Sequence, residues 1–207
     1  KTVAKAYIEH GLYDQALNEL SNSLTYAPAD TEAKVLVARC LRSRGNLQRA
    51  IETLREAAVG APNSIDIRYE LAVCLRNAED YDAAEETISG VLGAPEAPPR
   101  AYLLAATVAA NRGDRRRQAE RAALAIEAGD ETGWGWFISA RAVAPEQAGE
   151  SYETAANCLA QTAQAASRTE SASAFAGLAA CRRALGLHHE AEHAALDARR
   201  RLAAGHY

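Results

Sequence analysis

The residues best suited to chemistry in this 207-residue chain are few. His188-His189-Glu190-Ala191-Glu192-His193 sets His189 and His193 four apart, a spacing that on a helix can aim both imidazoles at one metal ion. The order His-Glu-x-x-His is absent, and the segment reads first as solvent-facing or capping residues. A metal-dependent site at His189 and His193 is therefore the weakest of three functional readings. No Gly-x-Ser-x-Gly nucleophile elbow and no glycine-rich phosphate loop occur. Gly133-Trp134-Gly135-Trp136 reads as a turn carrying two tryptophans rather than a phosphate cradle. The cysteines at 40, 74, 158 and 181 form no Cys-x-x-Cys pair and no metal-like cluster. These observations predict neither an enzyme nor a cofactor.

Two clusters suit recognition instead. Arg115, Arg116 and Arg117, flanked by Arg112 and Arg121, make the densest positive group. At the start of a helix they oppose the macrodipole, so they are either a solvated turn or a contact for an acidic or phosphorylated partner. Trp134, Trp136 and Phe137 either fill a gap in the core or form an interface, where tryptophan is enriched. Together these six residues make a candidate secondary interface.

The elements that must position these residues repeat. Gly11, Gly45, Glu79 and Gly113 are spaced by 34, and the residues that follow them match: Gly11-Leu-Tyr-Asp-Gln-Ala16, Gly45-Asn-Leu-Gln-Arg-Ala50, Glu79-Asp-Tyr-Asp-Ala-Ala84. Pro28 and Pro62 share the spacing, and Pro95 falls near the third closure. Within the second unit Val35, Val37, Ala38 and Leu41 form one helical stripe, and Leu47, Ala50, Ile51, Leu54, Ala57 and Ala58 another. Each unit thus reads as two helices of about thirteen residues joined at glycine or its acidic substitute, with Asn46 or Asp80 placed to cap the second helix. Cys40, Cys74 and Cys181 all precede a turn residue by five, which predicts packing positions. In the fourth unit the stripe Ala119, Ala122, Ala123 and Ile126 sits one residue late, as after an insertion. Residues 129–148 depart furthest, Pro145 is expected to begin the next helix, and Leu196 to Ala204 is expected to close the chain as a charged cap carrying Arg199-Arg200-Arg201.

Composition agrees with close helix packing: alanine supplies 49 residues, while aromatics make up only 6%. With 23 basic against 27 acidic residues and a formal charge of −4, the balance disfavours nonspecific nucleic-acid binding, which draws on a basic surface, and leaves room for one local basic patch. No apolar run is long enough to span a membrane.

The small and large residues at fixed places in each unit resemble the tetratricopeptide repeat (TPR) family. Ala38, Ala50 and Ala57 are the small positions of the second unit, with Val37, Leu41 and Leu54 large and Pro62 closing it. The third unit has Ala72 and Ala84 small, Leu71, Leu75 and Ile88 large, and Val91 in place of the last small residue. The resemblance implies an all-α, right-handed superhelical solenoid of helical hairpins over residues 1–207. Its units fall near 1–30, 31–64, 65–98 and 99–129, then an irregular stretch at 130–170, then 171–207.

The resemblance also implies that first helices line a concave groove holding a peptide or partner protein. The matching positions are Val35, Arg39, Arg42 and Ser43, then Tyr69, Val73, Arg76 and Asn77, then Leu103, Thr107 and Asn111. Arginine forks match carboxylates, so a segment with acidic and hydrophobic residues would fit, and self-association is a further option. The lysine–asparagine clamp with which one subclass holds acidic chaperone tails is not matched. The expectation is a non-catalytic interaction or scaffold module, with a regulatory or docking domain of a larger enzyme or transcription regulator as the alternative. Unpaired cysteines slightly favour the cytoplasm and leave a bacterial periplasm open; the alanine richness suggests a GC-rich bacterial genome.

Overall fold

One backbone device recurs along the chain. Gly11, Gly45, Gly113 and Gly186 are left-handed, and Glu79, at φ 62°, is the non-glycine residue that shares their conformation among the described residues. After the helix ending at Ser43, the Gly45 N–H donates to the Arg42 carbonyl (3.0 Å) and the Asn46 N–H to the Leu41 carbonyl (2.9 Å). The same two bonds recur at Glu79–Asp80, Gly113–Asp114 and Gly186–Leu187. They satisfy the last orphan carbonyls of the first helix and reverse the chain.

The computed structural model describes residues 1–94, 97–143, 147–165 and 168–203. Twelve helices follow in order among them: α1 Thr2–Glu9, α2 Tyr13–Tyr26, α3 Thr31–Ser43, α4 Leu47–Gly60, α5 Ile65–Asn77, α6 Tyr81–Leu92, α7 Pro99–Asn111, α8 Arg115–Glu127, α9 Trp134–Ala142, α10 Gly149–Ala165, α11 Arg168–Ala184 and α12 His188–Ala203. No strand occurs among the described residues, and no helix is long and apolar enough to cross a membrane. Pro95 and Pro145, expected to mark joins between units, lie outside the described residues, as does Ala204.

The chain divides into two compact units, Lys1–Ala97 and Pro98–Tyr207. In the first, each helix packs on its successor from α1 to α6, and α3 also meets α5. Ala16, Leu20, Ala33, Leu36 and Cys40 form one buried cluster there, and Ala50, Leu54, Ala57, Ala84 and Ile88 are equally buried. Alanine lets the helices approach closely, and leucine and isoleucine fill the space left between them. In the second, sequential packing runs from α7 to α12, with α7 on α9 and α9 on α11. Its core gathers Ala155, Leu159, Ala163, Ala174, Leu178 and Cys181. Cys40, Cys74 and Cys181 are all buried, as their common repeat position predicts, and burial pushes the Cys74 and Cys181 thiols up to about 11.

Four expectations need correction. Asn46 precedes α4 but its side chain caps nothing, whereas the Asp80 carboxylate accepts the Ala83 N–H at 3.2 Å. The fourth unit is in register: the buried positions of α8 are Gln118, Ala122 and Ala125, each 68 residues after Ala50, Leu54 and Ala57. What looked like an insertion is a polar residue at a small position, kept there because the Gln118 amide donates to the Ile138 carbonyl at 2.8 Å. The tryptophan segment is not a turn. Gly133 (φ 87°) makes the turn, and Trp134-Gly135-Trp136-Phe137 is the first part of α9. Finally, Leu196 to Ala203 is the second half of α12 and not a separate capping helix.

Candidate protein-binding surface

In the first unit the expected groove residues fall on α3 and α5. Val35 and Val73 are buried, so they act as core packing beneath the surface. Arg39, Arg42, Tyr69 and Arg76 are half-buried, and Asn77 is exposed. Arg39 Nε donates to Glu70 Oε1 at 2.6 Å, and Arg42 Nη2 lies 3.6 Å from Glu70 Oε2. One carboxylate of α5 thereby holds two guanidiniums of α3 side by side. Glu70 is only 5% exposed, and a buried carboxylate without such partners would be costly.

Glu70 escaped notice in the sequence, although a signal was there. It stands 34 residues after Leu36 and 34 before Leu104, both buried leucines, so an acidic residue interrupts an apolar column of the repeat. Arg76 completes the group. Its Nε and Nη2 both donate to Asn77 Oδ1, at 3.2 and 2.9 Å. Burial holds the Arg76 guanidinium below its ordinary value, and the Arg42 charge adds to that depression. Arg39 also lines a cleft of about 330 Å³ with Lys5, Glu32, Val35, Asp66 and Ile67, a wall of mixed charge and apolar side chains. On its rim Lys1 bridges Asp30 and Glu32, and Lys5 meets Glu32 at 2.8 Å.

The remaining expected positions belong to the second unit. Leu103 packs against Ala106, Ala122 and Ile138; Thr107 is half-buried and its hydroxyl donates to the Leu104 carbonyl; Asn111 is exposed at the end of α7. Arg115, Arg116 and Arg117 open α8 as exposed residues. Asp114 offsets the charge against the helix dipole, since it accepts the Arg117 N–H at 3.0 Å, and Arg116 pairs with Glu120 at 2.8 Å. Trp134, Trp136 and Phe137 are half-buried against the core of the second unit. Trp134 and Phe137 meet edge to face with centroids 5.5 Å apart, and a Cβ on Gly177 would come within 2.8 Å of the Trp134 ring. His189 and His193 stand edge to face with centroids 4.6 Å apart, and no cluster of three or more potential metal ligands occurs among the described residues.

The alternation of helices, the shared left-handed turn and the small-residue contacts define a TPR-like helical-repeat fold. Comparisons with known proteins agree. The family model for anaphase-promoting complex, cyclosome, subunit 3 matches residues 9–91. No curated protein sequence matches the chain. Among solved structures, a chain of the APC/C hetero-tetramer Cut9–Hcn1 is similar with a TM-score of 0.73 at 14% identity, over 92% of this chain and 37% of that one. PilF of Pseudomonas aeruginosa is similar with a TM-score of 0.68 at 14% identity, over 96% of this chain and 88% of that one. YrrB, described as a TPR protein with an unusual peptide-binding site, gives a TM-score of 0.58 at 14% identity, covering 86% and 90%. At these identities the likeness is one of fold.

Proposed function

We propose that this chain is a non-catalytic protein-interaction module whose first unit receives a partner segment bearing acidic and apolar residues. The observation that carries this reading is the pair of guanidiniums that Glu70 gathers from α3. Arg39 engages Glu70 through Nε, which leaves its terminal amino groups for a second acceptor, and its side chain is 35% exposed. Arg76 lies near enough to Arg42 for their charges to interact. Planar forks held in fixed orientation select carboxylates, and the half-buried Tyr69 beside them offers apolar area with a polar tip. The peptide-binding site for which YrrB is described gives the fold a precedent for this use.

Fluorescence polarisation with peptides of alternating acidic and apolar residues tests the reading. Binding should weaken as salt is raised, and Arg39→Gln combined with Arg76→Gln should weaken it by about tenfold, the effect of roughly 1.4 kcal/mol. Equal binding of a peptide with lysine in place of each acidic residue would contradict it.

A further inference from the structure

Three cavities invite comparison, and they differ in charge. The cleft beside Arg39 carries Lys5 against Glu32 and Asp66, and a second, between α10 and α12, carries Arg182 against Glu153 and Glu190. The third, about 400 Å³ within the second unit, is lined by Arg115 and Arg141 with no carboxylate among the described residues that form it. It lies where helix ends and connections meet: Arg115 begins α8, Arg141 is in the last turn of α9, Tyr152 is in the first turn of α10, Ala184 ends α11 and Leu185 follows it.

Arg141 is exposed and stands over an aromatic ring. Its guanidinium carbon lies 5.7 Å from the centroid of the Phe137 ring, and that ring meets Tyr152 at 6.2 Å. Burial raises the Tyr152 phenol while the Arg141 charge opposes the rise, which sets the cation and the hydroxyl close together. Neither Arg115 nor Arg141 has an ion-pair partner among the described residues, whereas Arg116 and Arg117, which follow Arg115 on α8, are both paired. The lining also includes the alkyl side chains of Val143, Ala184 and Leu185, and Val143 is 37% exposed. Two arginines, a tyrosine and aliphatic side chains lining one volume suit a ligand with an anionic head and a short apolar chain. The volume is in the range of sites that enclose small molecules.

We propose that this cavity binds a small aliphatic carboxylate, with its head group on Arg115 and Arg141 and its chain against Val143, Ala184 and Leu185. The fork geometry of arginine favours the planar carboxylate, and the apolar wall favours a chain over a bare inorganic anion.

Isothermal titration calorimetry of the full chain with octanoate tests this site. One octanoate should bind per chain, with octanol and inorganic phosphate each weaker by at least about tenfold. Arg115→Gln and Arg141→Gln should each reduce octanoate affinity by about tenfold. Arg115 is exposed, so its replacement leaves the fold intact and decides the question even if Arg141→Gln, which loses the contact with Phe137, unfolds. No octanoate binding at millimolar concentration, equal binding of octanol, or an Arg115→Gln variant that binds as the parent does would overturn the proposal. Arg39→Gln with Arg76→Gln should leave octanoate binding unchanged, which separates this site from the groove of the first unit. Displacement of octanoate by the acidic peptides would assign the cavity to a protein partner and would overturn the small-molecule assignment.

Discussion

Glu79 occupies the backbone position that glycine holds at 11, 45, 113 and 186. A side chain in the left-handed region costs roughly 1–2 kcal/mol, partly offset because glycine gains freedom in the unfolded chain. Glu79→Gly should therefore stabilise the protein by about 0.5–1 kcal/mol in urea unfolding, and Gly45→Glu should destabilise it by a similar amount. Matching midpoints for both variants and the parent would show that the turn carries no strain. Asp30 makes a second case. Its hydrogen bond from Lys1, supported by the Ala33 N–H it caps, holds its carboxyl below the ordinary value of 3.8. A depressed carboxylate contributes stability that is complete above that ordinary value and fades as pH falls through the lower folded value. The advantage of the parent over Asp30→Asn, which keeps a capping oxygen, should thus be full at pH 7 and shrink below pH 3.8; a difference independent of pH would refute the ion-pair account. Position 79 was legible because the period made its acidic residue stand out against glycine. Glu70 was equally anomalous against Leu36 and Leu104, yet its meaning required knowing that Arg39 and Arg42 reach it from the neighbouring helix.

At the scale of elements, the repeat is set by alanines that admit close approach. Ala50 and Ala84 are fully buried, so Leu at either position should overpack the hairpin and cost about 1–3 kcal/mol. An unchanged thermal midpoint in both would remove them from the helix contacts. The short helix α9 depends on a different device. Asp130, 8% exposed, accepts the Gly135 N–H at 2.7 Å through one oxygen and the Thr132 N–H and hydroxyl through the other. A Cβ on Gly135 would fall 2.8 Å from Ile126 Cγ1 and 2.9 Å from Asp130 Oδ2. Asp130→Ala, which orphans those donors, should lose about 1–3 kcal/mol, and Gly135→Ala about as much, both read from urea midpoints. Helices α2 to α8 were readable from period and stripe. The start of α9 was not, because two glycines and two tryptophans suggest a turn, whereas the Asp130 carboxylate reaches five residues on to cap the Gly135 N–H of the helix. The register of α8 was misread for a related reason: a glutamine can occupy an alanine position when its amide finds the Ile138 carbonyl.

Across the whole molecule, each of the two compact units has its own apolar core and its own proposed binding site. The first offers arginines ordered around Glu70, and the second a cationic cavity with an aliphatic wall. The TPR-like fold was legible in the 34-residue spacing together with the small and large residues at fixed places in each unit. The partition of the expected groove was not, since Leu103, Thr107 and Asn111 repeat the pattern of Val35, Arg39 and Ser43 while belonging to the second unit. The most direct measurement of the central claim is partner capture from native lysate on the immobilised chain, read by mass spectrometry, beside a folded Arg39→Gln, Arg76→Gln variant. The account predicts a protein partner held by the parent and lost by the variant. A partner held equally by both would contradict recognition by the arginines of the first unit.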